Sequence, residues 1–431
     1  MKKEIIEEVN RCLNCANPKC KEACPIHLDI PSFIKTIKEG NLEEAFVQNS
    51  NTNPFGAICG LICPHEKQCE GACIRGIKGT PVRIGKIEND LCDAFIMQRP
   101  KLVKRNSIDT LDELNNDNIQ KNKVAIIGGG PSGLSCAYFL SKGKIHSTIF
   151  EKENRLGGIL NYGIPDFRLD KNLVEKSLNF IINDYIDVQI NTTFVGQKTQ
   201  LSEKIKVVDQ KKEYREICIN DLKQEGYEYI YLCFGNENSK MLNVQGIDLK
   251  QVIGANEFLR NYNDKLEDTL QKYSNKRICV VGGGNVAIDS ARVGIKLGAD
   301  VMIVYRRLRE NMPANKSEIE EADKEGVKYI YQKNITKIIS NNDGSLMLLL
   351  DDNSEIETDY LIIAIGSKIN EKYLEDVFEL ENGLIKINSC YETNQKNIFA
   401  GGDLVQNKST VVNAIKDGKE VAFEIIKRIN T

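Results

Sequence analysis

Two hydrophobic rhythms alternate along the chain. Short runs made up mainly of apolar residues, VAII at 124–127, STIF at Ser147–Phe150, YIYLCFG at 229–235, VMIV at 301–304 and YLIIAIG at 360–366, have the form of strands buried on both faces of a parallel sheet. Between them lie stretches with helical spacing, such as 173–182 and the C-terminal face of Val411, Ile415, Ala422, Ile425 and Ile429, which Ser409 or Thr410 is placed to cap. Strands alternating with helices predict an α/β chain with parallel sheets. The N-terminal part reads differently. In IPSFIKTIKEGNLEEAF at 30–46 the apolar residues Ile30, Phe33, Ile34 and Ile37 recur at helical spacing until Gly40, predicting a core helix pair. Residues 99–122 are polar and charged, the composition of a linker or surface connection.

The residues after these strands give them a purpose. After 124–127 come Gly128, Gly130 and Gly133 in the GxGxxG spacing, with Pro131 and Ser132 opening a helix, and the next strand ends in Glu151. The first glycine permits the tight turn, the second lets backbone approach a pyrophosphate, and the third lets the helix pack on the strand, its N-terminus facing the phosphates. Glu151 stands where a carboxylate accepts hydrogen bonds from ribose hydroxyls. RICVVGGGNVA at 277–287 repeats the theme, with Gly282, Gly284 and Ala287 in the GxGxxA variant around Asn285 and Val286. There the following strand ends in Tyr305, Arg306 and Arg307 instead of an acid. A carboxylate would repel a ribose 2′-phosphate, whereas a guanidinium pairs with it, so the second nucleotide is expected to be NADPH rather than NADH. The contrast of Glu151 with Tyr305 predicts two similar folds tuned for different dinucleotides. Three glycine-bearing stretches are candidates for further cofactor contacts: the irregular loop NRLGGILNYGIPDFRLDK with Gly158 and Arg168, suited to lie over a planar ring; Gly366 after its strand; and Gly402 with Asp403, an acid placed to hold a ribityl chain.

With 431 residues the chain is expected to divide into roughly two to four domains. Its net charge of -3 gives no electrostatic reason for a nucleic-acid partner, and no segment is an export signal or approaches about 18 consecutive apolar residues, so a cytoplasmic protein is expected. Fourteen cysteines in such a chain argue for metal or redox chemistry over disulfides. Cys12, Cys15, Cys20 and Cys24, the last followed by Pro25, precede Cys59, Cys63, Cys69 and Cys73. These spacings are nearer the ferredoxin rhythm than the paired CxxC of zinc ribbons, with zinc the competing reading. His27 and His65 lie close by and are expected to be structural. Cys136 and Cys279 stand alone beside the glycine motifs, so the dithiol of a flavin disulfide reductase is not expected.

The order of parts resembles the small (beta) subunit family of NADPH-dependent glutamate synthase, with which the large subunit of the bifurcating transhydrogenase and the N-terminal region of dihydropyrimidine dehydrogenase are related. The motifs that carry the resemblance are 12–25, CGLICPHEKQCEGAC at 59–73, VRIGKIE at 82–88, GGGPSGL, GIPDFRL at 163–169, GGGNVAIDSAR at 282–292, YRRLRENMPA at 305–314 and AGGD at 400–403. The resemblance implies two 4Fe-4S clusters, one held by Cys12, Cys15, Cys20 and Cys73, the other by Cys24, Cys63, Cys69 and Glu88, with Cys59 the rival to Glu88. It further implies FAD, NADPH and a larger catalytic or electron-accepting partner subunit. The chain departs from the family at Cys233 and Phe234, where Ala-Thr is usual before the glycine. The architecture expected is a helical iron-sulfur domain over 1–115, an FAD domain over 116–256 and 366–431, and an NAD(P)H domain over 257–365 inserted in it. Since cofactors carry hydride and electron transfer, no catalytic side chain is assigned. The alternatives are a ferredoxin-linked bifurcating subunit, an NADH-dependent dihydropyrimidine dehydrogenase subunit, and a non-enzymatic iron-sulfur scaffold with degenerate nucleotide sites.

Overall fold

A computed structural model describes residues 3–97, 123–196, 215–266, 270–369, 374–406 and 410–431. The expected connection at 99–122 and the capping candidate Ser409 lie outside the described residues. The chain forms two compact units, one of Met1–Leu160, Leu169–Gly235 and Asn370–Thr431, the other of Asn161–Arg168 and Asn236–Ile369.

The first unit opens with helices. Asp29 caps Ile30–Lys38 by accepting the Ser32 N–H at 3.4 Å, and Ile30, Phe33, Ile34 and Ile37 are all buried, as their spacing predicts. Gly40, at φ +82°, ends that helix, and Asn41 caps the next, Leu42–Ser50. Helix Gly56–Ile62 then packs on Ile84–Ile96, the element that carries Glu88. These helices join the sheet layer through Phe46, whose ring meets Phe180 edge-on at 5.4 Å, and through Tyr138, whose hydroxyl donates to the Ser50 carbonyl at 3.2 Å.

Behind them lies a five-stranded parallel sheet in the order Ile398–Ala400, Tyr227–Leu232, Lys123–Ile127, Ser147–Phe150 and Ile186–Gln189. Helices Pro131–Lys142 and Val411–Ile429 pack on one another, the first also against the sheet. Thr410 caps the terminal helix through the Asn413 N–H at 3.3 Å. Its buried face differs from the expected one: Val412 is in the core rather than Val411, Ile429 is only half-buried, and Asp417 and Gly418 sit inside. The acid is tolerated because Gly402, Gln406 and Tyr391 supply it with hydrogen-bond donors.

The second unit has its own five-stranded parallel sheet, in the order Lys328–Tyr331, Asp300–Tyr305, Arg277–Val281, Tyr360–Ile363 and Val252–Gly254. Helix Asn285–Lys296 follows the Arg277–Val281 strand, as Pro131–Lys142 follows the Lys123–Ile127 strand of the other sheet. A three-stranded antiparallel sheet, Ile335–Ser340, Leu346–Leu350 and Glu355–Thr358, completes the unit; its alternating Leu346, Leu348 and Leu350 are buried. The strands thus form two doubly wound parallel sheets preceded by a helical segment. Among the described residues, no helix is long and apolar enough to cross a membrane.

Candidate functional site

Three cysteines close in sequence are joined in the first unit by a fourth from some fifty residues further on. Cys12, Cys15, Cys20 and Cys73 line one pocket, whose remaining walls include Ile30, Ile34, Val82 and Ile84. Burial pushes the Cys20 thiol up to about 11, and Cys12 and Cys73 push it the same way. Cys24, Cys63 and Cys69 gather instead around Glu88. Burial raises Cys24 to about 11 and Cys69 well above its ordinary value, with Glu88 adding to both; Cys63 is raised by its hydrogen bond with Cys59, by burial and by Glu88. Glu88 itself is pushed up to about 7 by burial, against the pull of two amides. The protein alone therefore disfavours every anion in this donor set, and a cationic metal centre held by these residues would supply the charge that stabilises their thiolates. Among the described residues, no group of His, Cys, Asp or Glu is drawn in closely enough to hold a metal ion at one point; Cys12, Cys15, Cys20 and Cys73 line a pocket instead.

The two amides are contributions that sequence reading missed. Asn49 Nδ2 and Asn53 Nδ2 donate to the same Glu88 oxygen, Oε1, at 3.0 and 2.8 Å, and none of the described hydrogen bonds reaches Oε2. Asn53 Oδ1 also accepts the Cys59 S–H at 3.7 Å, and Asn49 Oδ1 accepts the Cys92 S–H at 3.3 Å. Both rivals for one ligand position thus hang on one asparagine. Two asparagines four residues apart, one inside a helix and one just beyond it, were the only signal available. His65 lies against Gly85, and burial lowers its basicity.

The glycine turn of the first sheet is built by close approach. Gly128 adopts φ +115°, and a Cβ there would lie 2.7 Å from Phe234 Cα; one on Gly133 would lie 2.0 Å from the Gly128 carbonyl oxygen. Gly130 precedes the helix without any side-chain cap, and Pro131 begins it, so the first-turn N–H groups have no side-chain acceptor. Glu151 is buried at the end of its strand. Its Oε2 accepts the Gly129 N–H at 2.7 Å and its Oε1 the Glu153 N–H at 2.9 Å; burial raises its pKa above the carboxylate norm while these amides oppose the rise. The chain then doubles back, the Gly157 N–H bonding the Gly129 carbonyl at 2.7 Å and bringing Gly158 beside Gly130.

From the other side Gly402 reaches Ser132, the distance from its missing Cβ to Ser132 Cβ being 3.4 Å. Asp417 fixes this contact: Oδ2 accepts the Gly402 N–H at 2.8 Å and Gln406 Nε2 at 2.5 Å, and Oδ1 accepts the Tyr391 hydroxyl at 3.0 Å. A Cβ on Gly418 would lie 2.1 Å from the Ser132 carbonyl oxygen, so the two helices touch backbone to backbone. The structure therefore brings Gly128, Gly130, Pro131, Ser132, Gly133, Glu151, Gly158 and Gly402 into one cradle, with half-buried Asp403 next along the chain. Phe234, the departure from the family pattern, stacks on Phe194 with ring centres 5.8 Å apart.

In the second unit Gly282 adopts φ +141° against the Ala364 carbonyl, and Gly284 precedes Asn285–Lys296 without a side-chain cap. Asn285 Oδ1 accepts the Asn315 N–H at 2.9 Å, and Ala287 is buried below the turn, with Val286 between them. Tyr305 braces the turn: its ring lies under Gly283 and its hydroxyl donates to the Asn311 carbonyl at 2.8 Å. Arg306 and Arg307 follow on the surface and make no ion pair among the described residues, whereas Arg309 is engaged with Asp323 and with the Tyr331 hydroxyl. Gly366 turns the chain at φ +112° and its carbonyl accepts the Lys240 N–H at 2.8 Å.

Arg168, read from sequence as part of a loop over a ring, belongs to this second unit. Its Nη1 bonds both oxygens of Asp289, at 2.8 and 2.6 Å, and its Nε lies 3.3 Å from Glu318. Its guanidinium is engaged inside the unit.

Known proteins share this arrangement. Residues 122–418 match the family model described as pyridine nucleotide-disulphide oxidoreductase, and residues 1–99 match that of dihydropyrimidine dehydrogenase domain II, 4Fe-4S cluster. Glutamate synthase [NADPH] small chain of Azospirillum brasilense is 30% identical over 96% of this chain and 87% of its own length; that of Escherichia coli (strain K12) is 29% identical over 97% and 90%. Among solved structures, Mycobacterium tuberculosis FprA in complex with NADPH superposes with a TM-score of 0.57 at 16% identity, covering 72% of this chain and 85% of that one, a likeness of fold. The chain belongs to the pyridine nucleotide-disulphide oxidoreductase family, in the branch of the glutamate synthase small chains with an N-terminal iron-sulfur domain.

Proposed function

We propose that this chain takes electrons from NADPH through FAD and two 4Fe-4S clusters to a larger partner subunit, in keeping with the NADPH and the small-chain status in the names of its glutamate synthase relatives. The observation that carries the proposal is the convergence of Cys12, Cys15, Cys20 and Cys73 on one pocket in the unit that also holds the glycine cradle and Glu151. Residues 1–115 are assigned the clusters, the rest of the first unit the FAD, and the second unit, which takes in 161–168, 236–256 and 366–369 as well as 257–365, the NADPH. A flavin, when bound, accepts a hydride and releases electrons singly, which is the conversion such a chain needs. The protein's own part is positional. The uncapped N-terminus of Pro131–Lys142 offers N–H groups to a pyrophosphate. Thiol chemistry at the flavin is disfavoured, since Cys136 and Cys279 are buried and burial alone raises both, Cys279 to about 12.

Anaerobic purification is expected to give about eight irons and one FAD per chain, with NADPH-dependent reduction of an artificial acceptor; protein holding zinc and no iron would reject the reading. For the second cluster Glu88 is the favoured fourth ligand, because both amides anchor Oε1 and leave Oε2 with lone pairs to give. Glu88→Ala is expected to lose about half the iron while Cys59→Ala retains it; the opposite iron contents would transfer the role to Cys59.

Arg306 and Arg307 are assigned the 2′-phosphate. Replacing both with serine removes charge-assisted hydrogen bonds of about 1.5–3 kcal/mol each. The KM for NADPH is expected to rise by about a hundredfold, with little change for NADH. Equal changes for the two nucleotides would remove the arginines from this role.

A further inference from the structure

The surface beside the cysteine pocket is shaped to receive another protein. Leu13, Ile74 and Ile77 are 57%, 41% and 79% exposed, an apolar cluster on a soluble face where Ile77 in particular has no packing role. They line an open groove together with Arg11, Arg75 and Lys78. No carboxylate lines it. Arg11 is neutralised by Glu8, but Arg75 and Lys78 have no acidic partner among the described residues, so the groove is locally cationic on a chain whose net charge is -3. The groove is also continuous with the pocket of Cys12, Cys15, Cys20 and Cys73, the two sharing Leu13, Ile74 and Arg75 as a common wall.

We infer that this groove is the docking surface of the electron-accepting protein, and that the partner presents an acidic rim around an apolar centre. The inference rests on the electron-transfer reading and adds the place and the charge of the partner. An apolar centre excludes water from the contact and a charged rim sets encounter rate and orientation, the division of labour seen at protein interfaces generally. A partner of the opposite charge meets Arg75 and Lys78 favourably over a range set by the Debye length, about 8 Å at physiological salt.

The test uses the holoprotein and two forms of one probe, cytochrome c with its native basic surface and cytochrome c made acidic by succinylation of its lysines. Binding of the oxidised cytochromes is measured by biolayer interferometry at low salt, and reduction is monitored in parallel. Oxidation of one NADPH to NADP+ and a proton reduces two haem irons from Fe(III) to Fe(II). The acidic cytochrome is expected to bind and be reduced at least about tenfold better than the native one, with the difference fading as salt rises. Ile77→Asp with Lys78→Glu is expected to abolish the preference while iron content, flavin content and reduction of a small neutral acceptor stay at wild-type levels. Equal binding of the two cytochromes by wild type, or an unchanged preference in the variant, overturns the assignment. Wild type that binds the acidic probe selectively but oxidises no NADPH with any acceptor supports the surface and retires the electron-transfer reading.

Discussion

Arg168→Ala is expected to destabilise the second unit by about 3–5 kcal/mol, the cost of breaking a buried ion pair from one side. The Arg168 side chain is 6% exposed and that of Asp289 4%, and the guanidinium gives the carboxylate two hydrogen bonds of 2.8 and 2.6 Å. Even beside that guanidinium, burial pushes Asp289 up to about 6. Without it the carboxylate is held still more firmly in its neutral form. This sets the direction of the pH effect. A folded-state pKa above the unfolded value of about 3.9 means that protonation favours the folded form; the unfolded state is common to both proteins, so the variant's deficit is largest near pH 7 and shrinks as the pH falls through about 6, where the wild-type carboxyl is protonated too. Glu318 adds to the effect, although Arg292 at 2.5 Å retains a hold on it. Because the chain has two units, a global melting curve mixes their transitions. Hydrogen exchange of amides in Asn285–Lys296, at pH 7 and pH 5, reads the second unit directly. A loss below about 1 kcal/mol at both pH values would show that the pair is not energetically coupled to the fold. Asp289→Asn in the same background is expected to recover part of the loss, since it removes the orphaned charge.

That pair also marks where sequence reading ended. The strands were legible because a parallel sheet covered on both faces demands unbroken apolar runs, and VAII, VMIV and YLII leave little alternative. The glycine turns were legible for a similar reason, since Gly128, Gly133 and Gly282 are positions that only a missing side chain satisfies. Glu151 could be placed because the fingerprint fixes it relative to the strand end. Arg168 could not, since its role depends on Asp289, 121 residues away, and nothing local distinguishes an arginine that meets a ring from one that meets a carboxylate. Asn49, Asn53 and Asp417 escaped for the same reason. Each is a polar residue in or beside a helix, and only tertiary packing decides whether such a residue is solvated or is the buried clamp of a functional group. The cysteines fall between these cases. Their spacing announced a metal site, but the grouping of Cys73 with Cys12, Cys15 and Cys20 required either the fold or a relative.

Gly133→Ala is expected to abolish stable flavin binding, an effect of more than about a hundredfold on affinity from a single methyl group. A Cβ at this position would lie 2.0 Å from the Gly128 carbonyl oxygen and 3.0 Å from Cys233 Sγ. The oxygen is backbone, and its turn cannot retreat, because Gly128 is itself pressed against Phe234 Cα and the Cys233 carbonyl. The helix must therefore move outward by about 1 Å to restore van der Waals distance, at a cost of about 1–3 kcal/mol in overpacking. It cannot move freely, because Ser135 Oγ donates to the Ile415 carbonyl at 2.9 Å and Gly418 fits against Ser132 with no room between backbones. Either the N–H groups of the first turn leave the places proposed to receive the pyrophosphate, or the contact with Gly402 opens; both dismantle the cradle. Gly143→Ala, at the other end of the same helix, is the matched control: its new methyl would meet Ile426 Cδ1 at 3.1 Å, the far end of a flexible side chain that can turn aside. The flavin-to-protein ratio after gel filtration, with titration of the apoprotein by FAD, distinguishes the two. Full flavin in Gly133→Ala would show that the pyrophosphate is bound elsewhere, and the assignment of 128–133 as its cradle would fall with it.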